Sequence, residues 1–280
     1  MESRLVFFAD ILGFGALSLV PGAEGAQDAL SAVSGLLDRS DVLGDLLNWP
    51  GWEERYALSD SLFLVSSDVE GAVAAAAEVF FNLAFITHAG SAPVLMRGGL
   101  AQGEAFQVPP IFPASAKANL VGAAVVKAVR LEGSALKGPR LFLDEATADQ
   151  IQRSSANVKD LLNRQGDSWD LLWLLPPVLT RANGELIGQL CQRIIALVER
   201  HGRTPSIAQQ YLGYLDLMVR SLVRLSEQSP EQAVTALRLA DWEGRLSSLE
   251  ELLATPELLV VNSMRKLGDF IRDDQDREKR

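Results

Sequence analysis

Glu53-Glu54-Arg55-Tyr56-Ala57-Leu58-Ser59-Asp60-Ser61-Leu62-Phe63-Leu64-Val65-Ser66-Ser67 is the stretch on which the fold turns. Arg55 to Leu58 and Leu62 to Val65 are short runs of strand character, and Ser59-Asp60-Ser61 between them is turn chemistry, so the pattern predicts a hairpin. Working upstream, Leu5 to Ala9 is an apolar run of strand length that ends in Asp10. Gly13 and Gly15 follow, and a helical stretch resumes after the Pro21-Gly22 break. Downstream, the Ala-rich segment 69–88 reads as a helix and Val94 to Gly103 as a strand. A Pro-rich loop over 108–113, a helix over 120–134, a strand over 140–143 and a helix begun by Asp144 complete the region. A hairpin inside a strand–helix alternation argues against a doubly wound parallel sheet, in which a crossover separates successive strands. The expected class is α+β, a ferredoxin-like βαββαβ sheet packed against helices.

Composition shifts further along. Beyond Trp169 to Leu175 and the Pro176-Pro177 break, Leu, Arg, Glu, Gln and Ala recur at helical spacing, which predicts helices over 181–201, 205–227, 230–240 and 244–272. We therefore expect a first domain over 1–176 and a C-terminal α-helical extension over 177–280. Leu212, Leu215, Leu217, Val219, Leu222 and Leu225 mark an apolar stripe suited to core or dimer contacts. The acid-rich end from Asp273 is expected to fray.

The balance of charges excludes some functions. With 26 Lys+Arg against 36 Asp+Glu and a net charge of −10, a surface built to neutralise DNA or RNA phosphates is not expected. One cysteine, Cys191, and two histidines, His88 and His201, exclude a disulfide framework and a Cys/His metal cluster. The apolar N-terminal run is too short for a signal peptide, and Val73 to Ile86, interrupted by Glu78 and Asn82, is too short to span a bilayer. A cytoplasmic protein that does not enter membranes is expected.

Asp10 at a strand end and Asp60 at a hairpin tip would emerge at one sheet edge if their strands are neighbours, and hard divalent cations favour such paired carboxylates. Each acid also suits a simple turn-capping role. Arg97 lies among apolar and Gly neighbours, where a guanidinium needs an anion: either a bound phosphate or, structurally, Glu104. Arg130 reads equally as a solvated helix residue, and Tyr56 as an ordinary strand aromatic.

Four strings decide between these readings. Phe8-Ala9-Asp10-Ile11-Leu12-Gly13-Phe14-Gly15, Leu58-Ser59-Asp60-Ser61, Met96-Arg97-Gly98-Gly99-Leu100-Ala101-Gln102-Gly103, and Val121-Gly122 followed by Arg130-Leu131-Glu132 occur in this order. Together they resemble the catalytic domain of class III nucleotidyl cyclases over residues 4–145. The Ser-Asp-Ser hairpin and the shortened loops look most like the bacterial antiphage pyrimidine (Pycsar) cyclases. The resemblance implies that Asp10, Asp60 and the main-chain carbonyl of Ile11 bind two Mg²⁺ or Mn²⁺ ions. It assigns Gly13, Phe14, Gly15 and Arg97 to the triphosphate, the glycines letting main-chain N–H groups approach phosphate oxygens. Arg130 falls where the family stabilises the pentacovalent phosphorus. The asparagine usually found four residues before it is Val126 here, and Lys127 is the nearby cation that can substitute on that face.

The same resemblance gives base choice to Tyr56, four residues before Asp60, and Asn119, three before Gly122. A phenol ring occupies space a purine needs, and an amide both donates to and accepts from a pyrimidine edge. The expected enzyme is thus a pyrimidine nucleotide cyclase, a uridylate cyclase first, that makes the 3′,5′-cyclic monophosphate and pyrophosphate from UTP or another pyrimidine triphosphate. The resemblance further implies a homodimer with composite active sites, and a role in antiphage defence through a separate cyclic-nucleotide-responsive effector. An adenylate or guanylate cyclase, a cyclase-fold module that binds nucleotide without turnover, and an α/β domain with a protein-interaction extension are the alternatives.

Overall fold

The computed structural model describes residues 3–19, 24–47, 52–87, 93–110, 119–133, 137–154, 158–166, 168–175, 183–205, 207–252 and 258–278. The strands are β1 (Arg4–Ile11), β2 (Glu54–Leu58), β3 (Ser61–Ser66), β4 (Met96–Gly103), β5 (Phe106–Val108), β6 (Asn119–Val121), β7 (Leu141–Leu143), β8 (Leu162–Gln165) and β9 (Ser168–Leu171). The helices interleaved with them are α1 (Phe14–Ser18), α2 (Glu24–Leu47), α3 (Val69–Thr87), α4 (Ala123–Glu132) and α5 (Glu145–Ser154). The chain divides into one unit of Met1–Ala135 with Arg140–Trp173 and another of Leu136–Pro139 with Leu174–Arg280.

In the first unit, seven strands form one sheet in the order β2-β3-β1-β4-β7-β9-β8. The first four pair antiparallel, with β1 between β3 and β4, which is the ferredoxin-like βαββαβ order expected from the hairpin. β1 is buried on both faces, and this is why it reads as a continuous apolar run rather than an alternating one. Phe7 on one face meets Phe80 of α3 at a ring separation of 6.1 Å. Val6 and Phe8 on the other face pack with Ala124 and Ala128 of α4. β7 then pairs parallel to β4 through the α4 crossover.

Two hairpins and a short helix were not foreseen. β5 pairs with β6 as a separate ribbon, β8 pairs with β9, and α1 precedes α2. Elements of three to five residues are too brief to show a period. The helix expected from residue 120 instead begins at Ala123, because Asn119–Val121 is taken into the β5–β6 ribbon and Gly122 turns the chain at φ 140°.

The second unit carries α6 (Gly184–His201), α7 (Ala208–Gln228), α8 (Pro230–Leu239), α9 (Trp242–Leu252) and α10 (Leu258–Glu278). Leu215, Leu217, Val219, Leu222 and Leu225 are buried in it. The single helix expected over 244–272 is two, α9 and α10. Pro256 falls in the interval between them, outside the described residues, and a proline has no N–H to continue a helical ladder. The acidic end does not fray as expected: α10 continues through Asp276, and Asp274 pairs with Arg238 at 3.1 Å. Among the described residues no helix is long and apolar enough to cross a membrane.

Candidate functional site

The sheet pairing brings four of the sequence-predicted residues to one corner. Asp10, near the end of β1, is paired with Ser61 on β3 and with Arg97 on β4. Residues paired across strands share a face, so Asp10 and Arg97 lie with Phe8 on the face that α4 covers. Ser61 Oγ donates to Asp10 Oδ1 at 2.8 Å. Asp60 sits in the adjoining turn, where Ser59 takes φ 57° and the Asp60 carbonyl accepts from Ile11 N–H at 3.2 Å. That backbone bond ties the hairpin tip to the strand carrying Asp10.

The corner carries more negative charge than it neutralises. Burial pushes the Asp10 carboxyl above its ordinary range, and the charges of Asp60 and Glu132 push it further, against the Ser61 hydrogen bond and the Arg97 guanidinium. Among the described residues no group of three or more His, Cys, Asp or Glu side chains is gathered for a metal. Two neighbouring carboxylates with a destabilised charge nonetheless fit a divalent cation, because Mg²⁺ is commonly held by one or two carboxylates and completed by substrate phosphates.

Arg97 has the anion partner that its surroundings demand, but it is not Glu104. Glu132 Oε1, at the end of α4, lies against Nε and Nη2 of Arg97. The approach depends on Gly99: a Cβ there would stand 2.3 Å from the Ala128 carbonyl oxygen and 2.7 Å from Leu131 Cβ. With no side chain at that position, α4 settles directly on β4. Glu104 instead caps the helix at its other end, its carbonyl accepting from Ala124 N–H at 3.2 Å.

The remaining candidates lie elsewhere on the same unit. Gly13 adopts φ 78° in the turn between β1 and α1, a conformation that favours glycine, and Phe14 and Gly15 open α1. Arg130, in the last turn of α4, is exposed and has no ion-pair partner among the described residues. Lys127 departs from the expected position beside it. Its Nζ donates to the Gln102 carbonyl at 3.2 Å and meets Asp144 Oδ2 at 3.4 Å, so it is anchored at the far end of β4. Five residues of strand, about 16 Å, separate Gln102 from Arg97.

Tyr56 and Asn119 do not join the Asp10 corner. The Tyr56 hydroxyl donates to Glu54 Oε2 at 2.6 Å, and Glu54 also pairs with Arg4. Burial and the Glu54 carboxylate hold the phenol up to about 12. Its proton is therefore committed to Glu54, and the ring rests against the core beneath α4. Asn119 Nδ2 donates to the Pro109 carbonyl at 3.1 Å across the β5–β6 ribbon. Glu54, Ser61, Gly99 and Glu132 are the residues that sequence reasoning missed as participants. Ser61 and Glu132 stand inside the quoted motifs, but nothing in their spacing states which side chain each would meet.

No protein-family model matches the chain, and no curated protein does. Solved structures with a similar fold include the guanylyl cyclase Cya2, 19% identical over 61% of this chain and 91% of its own, with a TM-score of 0.47. The adenylyl cyclase CyaB from P. aeruginosa is 18% identical over 60% of this chain and 93% of its own, with a TM-score of 0.46. The guanylate cyclase domain of RhGC from Catenaria anguillulae, in complex with GTP, is 20% identical over 60% of this chain and 96% of its own, with a TM-score of 0.44.

Proposed function

We propose that the chain is a nucleotide cyclase, with residues 1–176 as its catalytic domain, that converts UTP to 3′,5′-cUMP and pyrophosphate. The observation that carries the reading is the corner where Asp10 and Asp60 converge at the ends of neighbouring strands with Arg97 directly across from Asp10. The ribose 3′-oxygen bonds to the α-phosphorus, the bond from that phosphorus to the bridging oxygen breaks, pyrophosphate leaves with that bond's electron pair, and the hydroxyl proton passes to water. Two Mg²⁺ or Mn²⁺ ions, held by Asp10, Asp60 and the Ile11 carbonyl, would supply the charge that favours deprotonation and departure of pyrophosphate. Arg97 serves the triphosphate, the Gly13-Phe14-Gly15 turn offers main-chain donors, and Arg130 is free to meet charge on the phosphorus.

Tyr56 acts by shape. With its proton held by Glu54, the ring is a wall against a second purine ring rather than a donor to the base, and Asn119 reads the pyrimidine edge. A second copy of the chain completes the site: Val126, Val129, Val121 and Phe106 are between 39% and 50% exposed, an apolar face suited to a homodimer that brings Arg130 to the partner's Asp10 corner. The product is proposed as a second messenger in antiphage defence, read by a separate effector.

Incubation of the protein with ATP, GTP, CTP and UTP in turn, with Mn²⁺ and products resolved by mass, should give cUMP as the major product. No cyclic product from any of the four would overturn the reading. A binding module without turnover is the second reading, favoured by Val126 standing where the resembled family has an asparagine and by Lys127 being tied to Asp144. Composite sites have their own check: Asp10→Ala and Arg130→Ala chains, each inactive, should regain about a quarter of the activity when mixed and allowed to exchange subunits.

A further inference from the structure

Glu132, the partner of Arg97, has no role in the reaction just described. Glu132 is the last residue of α4, where the helix dipole disfavours an acid. It also lies close enough to Asp10 to raise that carboxyl further. Both effects oppose a carboxylate there, and its described compensation is Arg97. The helix is brought into reach by Gly99.

We infer that Glu132 is an internal counter-ion that competes with the phosphate chain for Arg97, and so sets the affinity of the site for polyphosphate. The inference rests on the reading of Arg97 as a triphosphate-binding residue. The guanidinium is neutralised by Glu132, and an incoming phosphate oxygen must displace a carboxylate that already holds Nε and Nη2. The pair is only partly buried, with side-chain exposures of 17% and 13%. Water can therefore reach the separated partners, and the exchange costs little compared with breaking a fully buried pair. Glu132 is a specificity-determining residue in the sense that an anion too weak to displace it is refused. Displacement also frees its charge next to Asp10, where a cation arriving with the phosphates would meet it.

The test is a calorimetric titration of the full chain with magnesium tripolyphosphate, which carries the phosphate chemistry without base or ribose and needs no turnover. Glu132→Gln should bind about twofold to fivefold more tightly than the unmodified protein, the range set by a partly exposed ion pair. Arg97→Gln should bind weakly, and Glu132→Gln added to Arg97→Gln should give no further gain. A gain that persists without Arg97 would mean that removing any negative charge suffices, and it would overturn the inference. Unchanged or weaker binding by a folded Glu132→Gln chain, or no binding by any of the proteins, would overturn it as well. Should Glu132→Gln fail to fold, Glu132→Asp, which keeps the charge but shortens its reach, must still bind more tightly. If no nucleoside triphosphate is cyclised yet the Arg97-dependent gain appears, the counter-ion role stands and the cyclase reading falls.

Discussion

Two arginines at the same end of the sheet make opposite use of a carboxylate. Arg97 on β4 pairs with Glu132, and Arg140, just before β7, pairs with Asp170 on β9. The strands are adjacent, and Gly98 N–H donates to the Arg140 carbonyl at 2.9 Å. The first pair is 17% and 13% exposed, the second 2% and 0%. The difference in burial separates a pair that can exchange partners from one that cannot. Desolvated charges must keep each other, because losing one leaves the other buried and uncompensated. Arg140–Asp170 therefore belongs to the fold, joining the β8–β9 hairpin to the sheet, and Arg97–Glu132 is the pair open to exchange in the proposed site.

The sharpest break between the two regions is expected from Asp60→Asn. A neutral amide lacks the negative charge with which a carboxylate holds a divalent cation, so cyclisation should fall by a hundredfold or more, on the order of what loss of a metal site removes, while circular dichroism and the melting temperature stay near those of the unmodified protein. Retained turnover would remove the two-carboxylate site.

Asp170→Ala should behave in the reverse way. It removes the carboxylate facing the buried Arg140 guanidinium, and urea denaturation should register a loss of about 3–5 kcal/mol. If Glu132→Ala costs as much, the distinction drawn from burial fails, since a partly exposed pair should contribute no more than about 1 kcal/mol.

Gly99→Ala tests what places α4. A methyl group 2.3 Å from the Ala128 carbonyl oxygen forces the helix outward, at about 1–3 kcal/mol of overpacking. The displacement should also separate Glu132 from Arg97, so this variant should bind magnesium tripolyphosphate more tightly even as it becomes less stable. Reduced stability with unchanged binding would show that the pair does not depend on the close approach.

The smallest effect concerns the unpaired charge itself. The Asp10 carboxyl is raised in the folded chain, so the folded state holds its proton more tightly than the unfolded state does. That contribution to stability is present at low pH and is lost as pH rises from the ordinary carboxylate value of 3.8 through the raised one. At neutral pH the charged Asp10 thus lowers the stability of the metal-free protein. Asp10→Asn should raise its melting temperature at pH 7, on the order of 1–3 °C, and the gain should disappear in acid. A lower melting temperature at pH 7 would mean that the Ser61 bond to Asp10 outweighs the repulsion.

By itself the sequence determined the elements that have a period or a long apolar run. The buried strand from Leu5, the hairpin around Asp60, the Ala-rich helix α3 and the amphipathic helices of the C-terminal part were all legible, because each buries a face whose spacing is written locally. The hairpin pairs β2 with β3, but that β3 lies beside β1, and Ser61 beside Asp10, was decided by the sheet. What the sequence left out were the three- to five-residue elements β5, β6, β8, β9 and α1, which owe their existence to pairing or packing partners rather than to a pattern of their own. Side-chain partnership was the other omission. Arg97 demanded an anion, and the sequence offered Glu104 nearby; the seating of α4 on Gly99 brought Glu132 instead. Lys127, three residues before Arg130, was turned instead to Asp144 because the start of α5 presents a carboxylate there. A guanidinium or ammonium on a long flexible stem meets whichever acid the tertiary packing brings close, and that choice is made by distances between elements that no local spacing encodes.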